Sequence, residues 1–217
     1  MPPKPFFVRF GHPLHMRQLV EEGRLQLRDL AYYSKSEDPW RGDPNEGALS
    51  HWKKGMGGFA FLKAGDTRIP LEEARIFVSP MKKHGVYCLT RLETEGPLVE
   101  NQWASFCVEA AILHHTEHES FSAGTGCVAI LNPGRFVQRF RAAAWRAGLL
   151  ALGGAVNYYS EHPMRPLLPC DKRDSFSWEK EYRLVTTTPI KAPLELKLGP
   201  LLDIAQYIEI PRRRAAA

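Results

Sequence analysis

Two glutamates two residues apart, Glu179 and Glu181 in FSWEKEYRLV, carry the strongest chemical signal in the chain. On a strand, that spacing projects both carboxylates from one face. Like charges on one face repel, and folding alone gives no reason to place them there. A cation relieves the repulsion, and Arg183 falls on the same face two residues further on. The segment reads either as a supported carboxylate site or as a charged stripe on the solvent side of a half-exposed strand. Trp178, Tyr182, Leu184 and Val185 are its core-type residues. A rigid strand that holds an acid against an apolar wall is a good support for a catalytic carboxylate.

Other polar clusters are weaker. HHTEHES places His114 and His118 four residues apart, on one face if helical, but His115 stands where a zinc-protease helix has glutamate. It reads as a polar helix end, and no metal is expected. The acids of SEDPWRGDPNEG lack the alternation of a calcium loop and read as a constrained surface turn. Arg135–Arg146, within GRFVQRFRAAAWR, is basic and partly aromatic. It reads as a helix with a solvated basic side, with a polyanion-binding face as the alternative. Cys88, Cys107 and Cys127 sit within apolar runs, and no C-x-x-C pair occurs, so the cysteines read as free thiols of a reducing compartment.

Short strands and helices must position these residues. FFVRF reads as a strand, followed by a helix over His15–Glu22 with Pro13 in its first turn and Gly23 as its stop. LQLRDLAYY begins with strand-like alternation, and Ser34–Gly58 reads as a long polar loop. Strands are expected at Gly85–Leu92, at Gly126–Leu131 and in GAVNYYS. Helices are expected at Leu98–His114 and Phe136–Leu150. A polar connection then runs to Ser177, before the strands EYRLVTTT, LELKL and YIEI. This irregular alternation predicts an α+β fold with a mixed, mostly antiparallel sheet and two main helices.

The chain has 217 residues, 44% of them hydrophobic, 24% charged and 11% aromatic, which excludes a wholly disordered protein. One α+β domain over residues 1–210 and a basic flexible tail over 211–217 are expected. The net charge of +5 includes Arg212, Arg213 and Arg214 of that tail, so charge alone does not argue for nucleic acid. No apolar stretch reaches the ~20 residues that cross a bilayer, and no secretory signal opens the chain. A soluble, cytoplasmic protein without membrane contact is expected. No Rossmann or P-loop glycine motif occurs, which disfavours dehydrogenase, kinase and ATPase readings.

FFVRF through Gly23, DPWRGDPNEG, VYCLTRL, WASF, GCVAIL, VNYY and WEKEYRLV occur in that order along the chain. Together they resemble a family of bacterial proteins of unassigned function, grouped with abortive-infection phage-resistance proteins of the AbiGi type. Phe106 stands where the family pattern has tyrosine, and Ala111–Thr125 is longer than that pattern. The arrangement is also similar, more distantly, to the ADP-ribosyltransferases. That resemblance implies a related fold and NAD as substrate. Arg9 or His12 would take the first-strand position that holds pyrophosphate or ribose, and Thr90 the central strand. Glu181 would be the late catalytic glutamate, with Glu179 beside it activating the acceptor. Tyr32, Tyr33 or Tyr158 would stack on nicotinamide. The implied function is ADP-ribosyl transfer to a protein or nucleic-acid acceptor, or NAD cleavage, in phage defence or bacterial conflict. The rival reading is a non-catalytic binding or antitoxin module that meets a partner protein of a defence pair. A third is a nucleic-acid-acting protein that uses the Arg135–Arg146 face.

Overall fold

A computed structural model describes residues 4–34, 48–54, 61–64, 67–77, 82–94, 109, 126–160 and 167–209. The chain opens with strand β1 (Pro5–Gly11) and helix α1 (Pro13–Glu21), whose Met16, Leu19 and Val20 are buried at helical spacing. Proline occupies the first helical turn, where no N–H is needed. Gly23 follows the helix at φ 68°, and a side chain there would collide with the Gly199 carbonyl. Glycine therefore fits this turn on both conformational and steric grounds. Strand β2 (Arg24–Asp29) and the short helix α2 (Leu30–Ser34) come next.

Two separate ladders follow: β3 (Ala48–Lys53) with β6 (Glu73–Phe77), and β4 (Phe61–Ala64) with β5 (Thr67–Pro70). The main sheet is built around β7 (His84–Glu93). It also holds β8 (Gly126–Ile130), β9 (Ala151–Ala155), β12 (Glu181–Pro189), β13 (Leu194–Lys197) and β14 (Ala205–Glu209). Every pairing in this sheet is antiparallel. One edge of β7 carries β12. The other is shared by β1, opposite Thr90–Glu93, and β2, opposite Gly85 and Val86. Between these two contacts the sheet splits at residues 87–89.

Helix α3 (Pro133–Arg146) and α1 cover one face. Phe136, Phe140, Ala143 and Ala144 pack there with Phe7, Tyr87, Leu89, Val128 and Leu184 of the strands. Since successive strand residues point to opposite sides, the neighbouring residues form the other face. There Phe6, Val8, Leu92, Cys127 and Ala129 make one buried cluster, and Leu30, Val86 and Val185 a second. A small parallel ladder of β10 (Asn157–Tyr159) and β11 (Asp171–Arg173) leads into a 3-10 helix (Asp174–Glu179).

The fold is α+β with a mostly antiparallel sheet, as the alternation of elements predicts, but several boundaries differ. The expected helix Phe136–Leu150 starts at Pro133 and ends at Arg146. Gly148 at φ 73° donates to the Trp145 carbonyl, and Leu149 N–H to that of Ala144, a glycine-terminated helix end. GAVNYYS is not one strand: it divides at Val156 between β9 of the main sheet and β10 of the small ladder. The loop expected over Ser34–Gly58 contains β3, and the connection before Ser177 contains β11 and most of the 3-10 helix. The expected helix Leu98–His114, the His114–His118 cluster, the acidic loop and the tail 211–217 lie outside the described residues, apart from Glu109. Among the described residues no helix is long and apolar enough to cross a membrane.

Candidate functional site

The 3-10 helix ends at Glu179, and Lys180 takes a left-handed conformation (φ 46°) before β12 begins at Glu181. Glu179 and Glu181 therefore do not share a strand face by alternation, because only Glu181 lies on the strand. They meet through a cation, Lys172 of β11. Its Nζ donates to Glu179 Oε2 at 2.7 Å and to Glu181 Oε2 at 3.3 Å. Glu181 also accepts from Arg183, at 2.9 Å from Nε to Oε1 and 3.1 Å from Nη2 to Oε2. The alternation of β12 does put Glu181 and Arg183 on one face, and the remaining Arg183 nitrogen donates to the Pro169 carbonyl.

This quartet is buried. The side chains of Arg183, Lys172 and Glu181 are 1%, 3% and 4% exposed, and that of Glu179 is 14% exposed. The Phe176 ring lies 4.6 Å from Lys172 Nζ and adds a cation–π contact. Parallel pairing sets Tyr158 opposite Lys172. The Tyr158 hydroxyl accepts the Glu181 backbone N–H at 2.8 Å, and burial pushes that phenol up to about 12. The small ladder thus fixes both a cation and a hydroxyl over the start of β12.

The two carboxyls are displaced in opposite directions. Burial raises the Glu179 carboxyl to about 7; Lys172 opposes the rise and the Glu181 charge adds to it. Burial also works against the charge on Glu181, but Arg183 and Lys172 outweigh it and hold that carboxyl well below the usual range. The nearby Cys88 thiol adds a smaller lowering. Glu179 Oε1 is buried without a partner among the described residues. Glu181 is thus a fixed anion, whereas Glu179 is a group that exchanges its proton near neutrality.

The other expected site residues are only partly gathered here. Thr90 is buried directly across the ladder from Glu181. Arg9 reaches the split beside β7, where Nη1 donates to the Cys88 carbonyl at 2.9 Å and the guanidinium lies 5.0 Å from the Tyr87 ring. Burial opposes the Arg9 charge, yet Tyr87, Tyr33, Cys88 and Glu181 together hold its pKa above the ordinary value. Tyr33 of α2 packs on the Leu30–Val86–Val185 cluster. His12 is not part of the arrangement: it is exposed at the start of α1, with its ring 5.4 Å from that of His15. Tyr32 is also exposed, under the Arg28 guanidinium.

Lys172 was absent from the expected set. Its only sequence signal is a lysine in a polar connection, and neither periodicity nor motif links it to residues seven and nine positions later. Of the basic helix, Arg135 and Arg139 both pair with Asp203, and Arg146 donates to the Lys197 carbonyl. A cavity of about 310 Å³ is lined by Pro5, Phe7, Arg91, Pro133, Gly134, Val137 and Tyr182. Its strand residues belong to the helix-bearing face, opposite the carboxylates. Among the described residues no group of His, Cys, Asp and Glu is placed to hold a metal ion.

No protein-family model, curated protein or solved structure matches this chain.

Proposed function

We propose that the chain breaks the C1′–nicotinamide bond of NAD and passes ADP-ribose to an acceptor or to water, in phage defence or bacterial conflict. The observation that carries this reading is the pair of carboxyls on Lys172 with opposed proton affinities. Cleavage of a glycosidic bond through an oxocarbenium-like state calls for a permanent anion beside a group that moves a proton. Glu181 supplies the anion. Glu179 in its ionised form takes the proton from the acceptor hydroxyl as that oxygen bonds to C1′, while nicotinamide leaves with the electrons of the broken C–N bond. Arg9, beside the split in the sheet, is the cation for the pyrophosphate. Thr90 lies near the ribose, and Tyr33 or Tyr158 borders the nicotinamide. The NAD assignment rests on the resemblance of the segments from FFVRF to WEKEYRLV.

One observation favours the rival reading of a non-catalytic binding or antitoxin module in a defence pair. Glu181 is 4% exposed and saturated by cations, as a purely structural carboxylate would be. Labelled NAD, incubated with the protein and cell lysate, separates the two. Nicotinamide release that rises with pH through about 7, and falls 100-fold or more in a folded Glu179→Gln variant, supports catalysis. That loss corresponds to roughly 3 kcal/mol of transition-state stabilisation. No release, with no rise in Tm at millimolar NAD, leaves the binding module.

A further inference from the structure

Among the described residues the main sheet has three outer strands, and they are protected unequally. β13 carries Glu195 and Lys197, and β14 carries Glu209. Charges on an edge strand discourage another strand from adding to it. β9 reads ALGGA: it has no charge, no proline and no bulge, and it pairs only with β12. Its Leu152 is 58% exposed, Leu150 just before it is 56% exposed, and Trp145 on the last turn of α3 is 70% exposed. An uncharged edge flanked by large exposed apolar side chains is a template for strand addition.

We propose that this edge pairs with β9 of a second copy of the chain, antiparallel about a twofold axis at Gly153, joining two sheets into one. The strand is self-complementary in that register. Leu152 falls opposite the partner's Gly154, on the same sheet face, and a side chain built on Gly154 would meet nothing within 4 Å. The leucine of each copy thus enters the space left by the other's glycine. Ala151 falls opposite the partner's Ala155, and no like charges meet across the five-residue ladder. A twofold pairing also closes both bare edges at once, whereas addition of an unrelated strand order would leave one open.

The interface is small. Trp145, Leu150 and Leu152 present roughly 300–400 Å² per copy, so about 600–800 Å² for the pair before the backbone is counted. That falls below the roughly 1,200–2,000 Å² of a stable complex, so a weak dimer that forms only at high protein concentration is expected.

Sedimentation velocity of the full chain from 1 to 200 μM tests this. Wild type is expected to pass from monomer to dimer over that range. Leu152→Lys, at an exposed position, is expected to weaken the dimer at least tenfold with an unchanged Tm, and Gly154→Val to do the same by filling the recess. Amide exchange of residues 151–155 should slow as wild-type concentration rises. A wild type that stays monomeric at 200 μM overturns the proposal. So does a dimer that neither substitution weakens, continued growth into longer assemblies, or edge amides whose exchange ignores concentration. The proposal is independent of NAD chemistry, since neither readout involves the carboxylate site.

Discussion

Glu181→Gln removes one charge from a buried quartet of two cations and two carboxyls. Three contacts depend on that charge: two from Arg183, at 2.9 and 3.1 Å, and one from Lys172, at 3.3 Å. The amide retains one acceptor oxygen and turns an N–H₂ toward a donor, so Arg183 is left buried and largely uncompensated. Breaking one side of a buried pair costs about 3–5 kcal/mol. For a chain of this length that lowers Tm by roughly 6–20 °C. Urea unfolding at pH 7 measures the loss directly. The sign of its pH dependence follows from linkage. A carboxyl held below its ordinary value of 4.5 contributes stability that is present above that value and is lost as pH falls through the folded-state value. The gap between wild type and variant should therefore be full at pH 7 and shrink on acidification below about 4.5. Replacing both partners, Glu181→Leu with Arg183→Met, should recover at least about half of the loss, because no unpaired charge remains between them. A Glu181→Gln variant within about 0.5 kcal/mol of wild type at pH 7 would refute the buried network, since only surface changes are that mild.

Glu179→Gln should act with the opposite pH dependence. A carboxyl raised to about 7 contributes stability below its ordinary 4.5 that is lost as pH rises through 7, so the variant should gain about 1–3 kcal/mol on wild type between pH 5 and 8 in urea titrations. Tyr158→Phe leaves the Glu181 N–H without its 2.8 Å acceptor and should cost about 1–3 kcal/mol in the same assay. Gly23→Ala must hold φ near 68° and place a methyl 1.9 Å from the Gly199 oxygen, so a loss of at least about 2 kcal/mol is expected in thermal melts. Arg9→Ala should cost about 1–3 kcal/mol of stability in urea titrations through loss of the Cys88 carbonyl bond, and should also abolish any NAD-dependent rise in Tm.

Much of the frame is legible in local sequence because local physics decides it. FFVRF, GCVAIL and EYRLVTTT are strands by composition, and Pro13 with Gly23 brackets a helix whose apolar spacing is plain. Boundaries shift where one residue overrules the pattern: with Gly148 at its end, α3 stops at Arg146, four residues short of the expected Leu150. What sequence hid is pairing at a distance. The short β10 and β11 have too few residues to show a period of two. Val156 still bonds the Glu181 carbonyl of β12, and the break follows it, where the Asn157 N–H turns to the Cys170 carbonyl thirteen residues away.

The site shows the same division more sharply. The spacing of Glu179, Glu181 and Arg183 was readable, and so was the need for a cation. The reason given, a common strand face, holds for Glu181 and Arg183 alone. Glu179 arrives by a different route: the 3-10 helix ends there, Lys180 takes a left-handed turn, and Lys172 bridges the carboxyls from another ladder. That route has a chemical consequence a strand would not have. Two carboxylates on one open strand face would share water, and each would raise the other's proton affinity by repulsion. Here Arg183 is bound to Glu181 and not to Glu179, so burial can lift one proton affinity while ion pairing depresses the other. With Glu179 ionised the quartet is neutral, and with Glu179 protonated it carries one positive charge. An anionic ligand at this place would favour the protonated form, and positive charge developing on a bound group would favour release of the proton. The division of labour between the two acids thus comes from the asymmetric placement of Arg183 and Lys172 rather than from the Glu-x-Glu spacing itself.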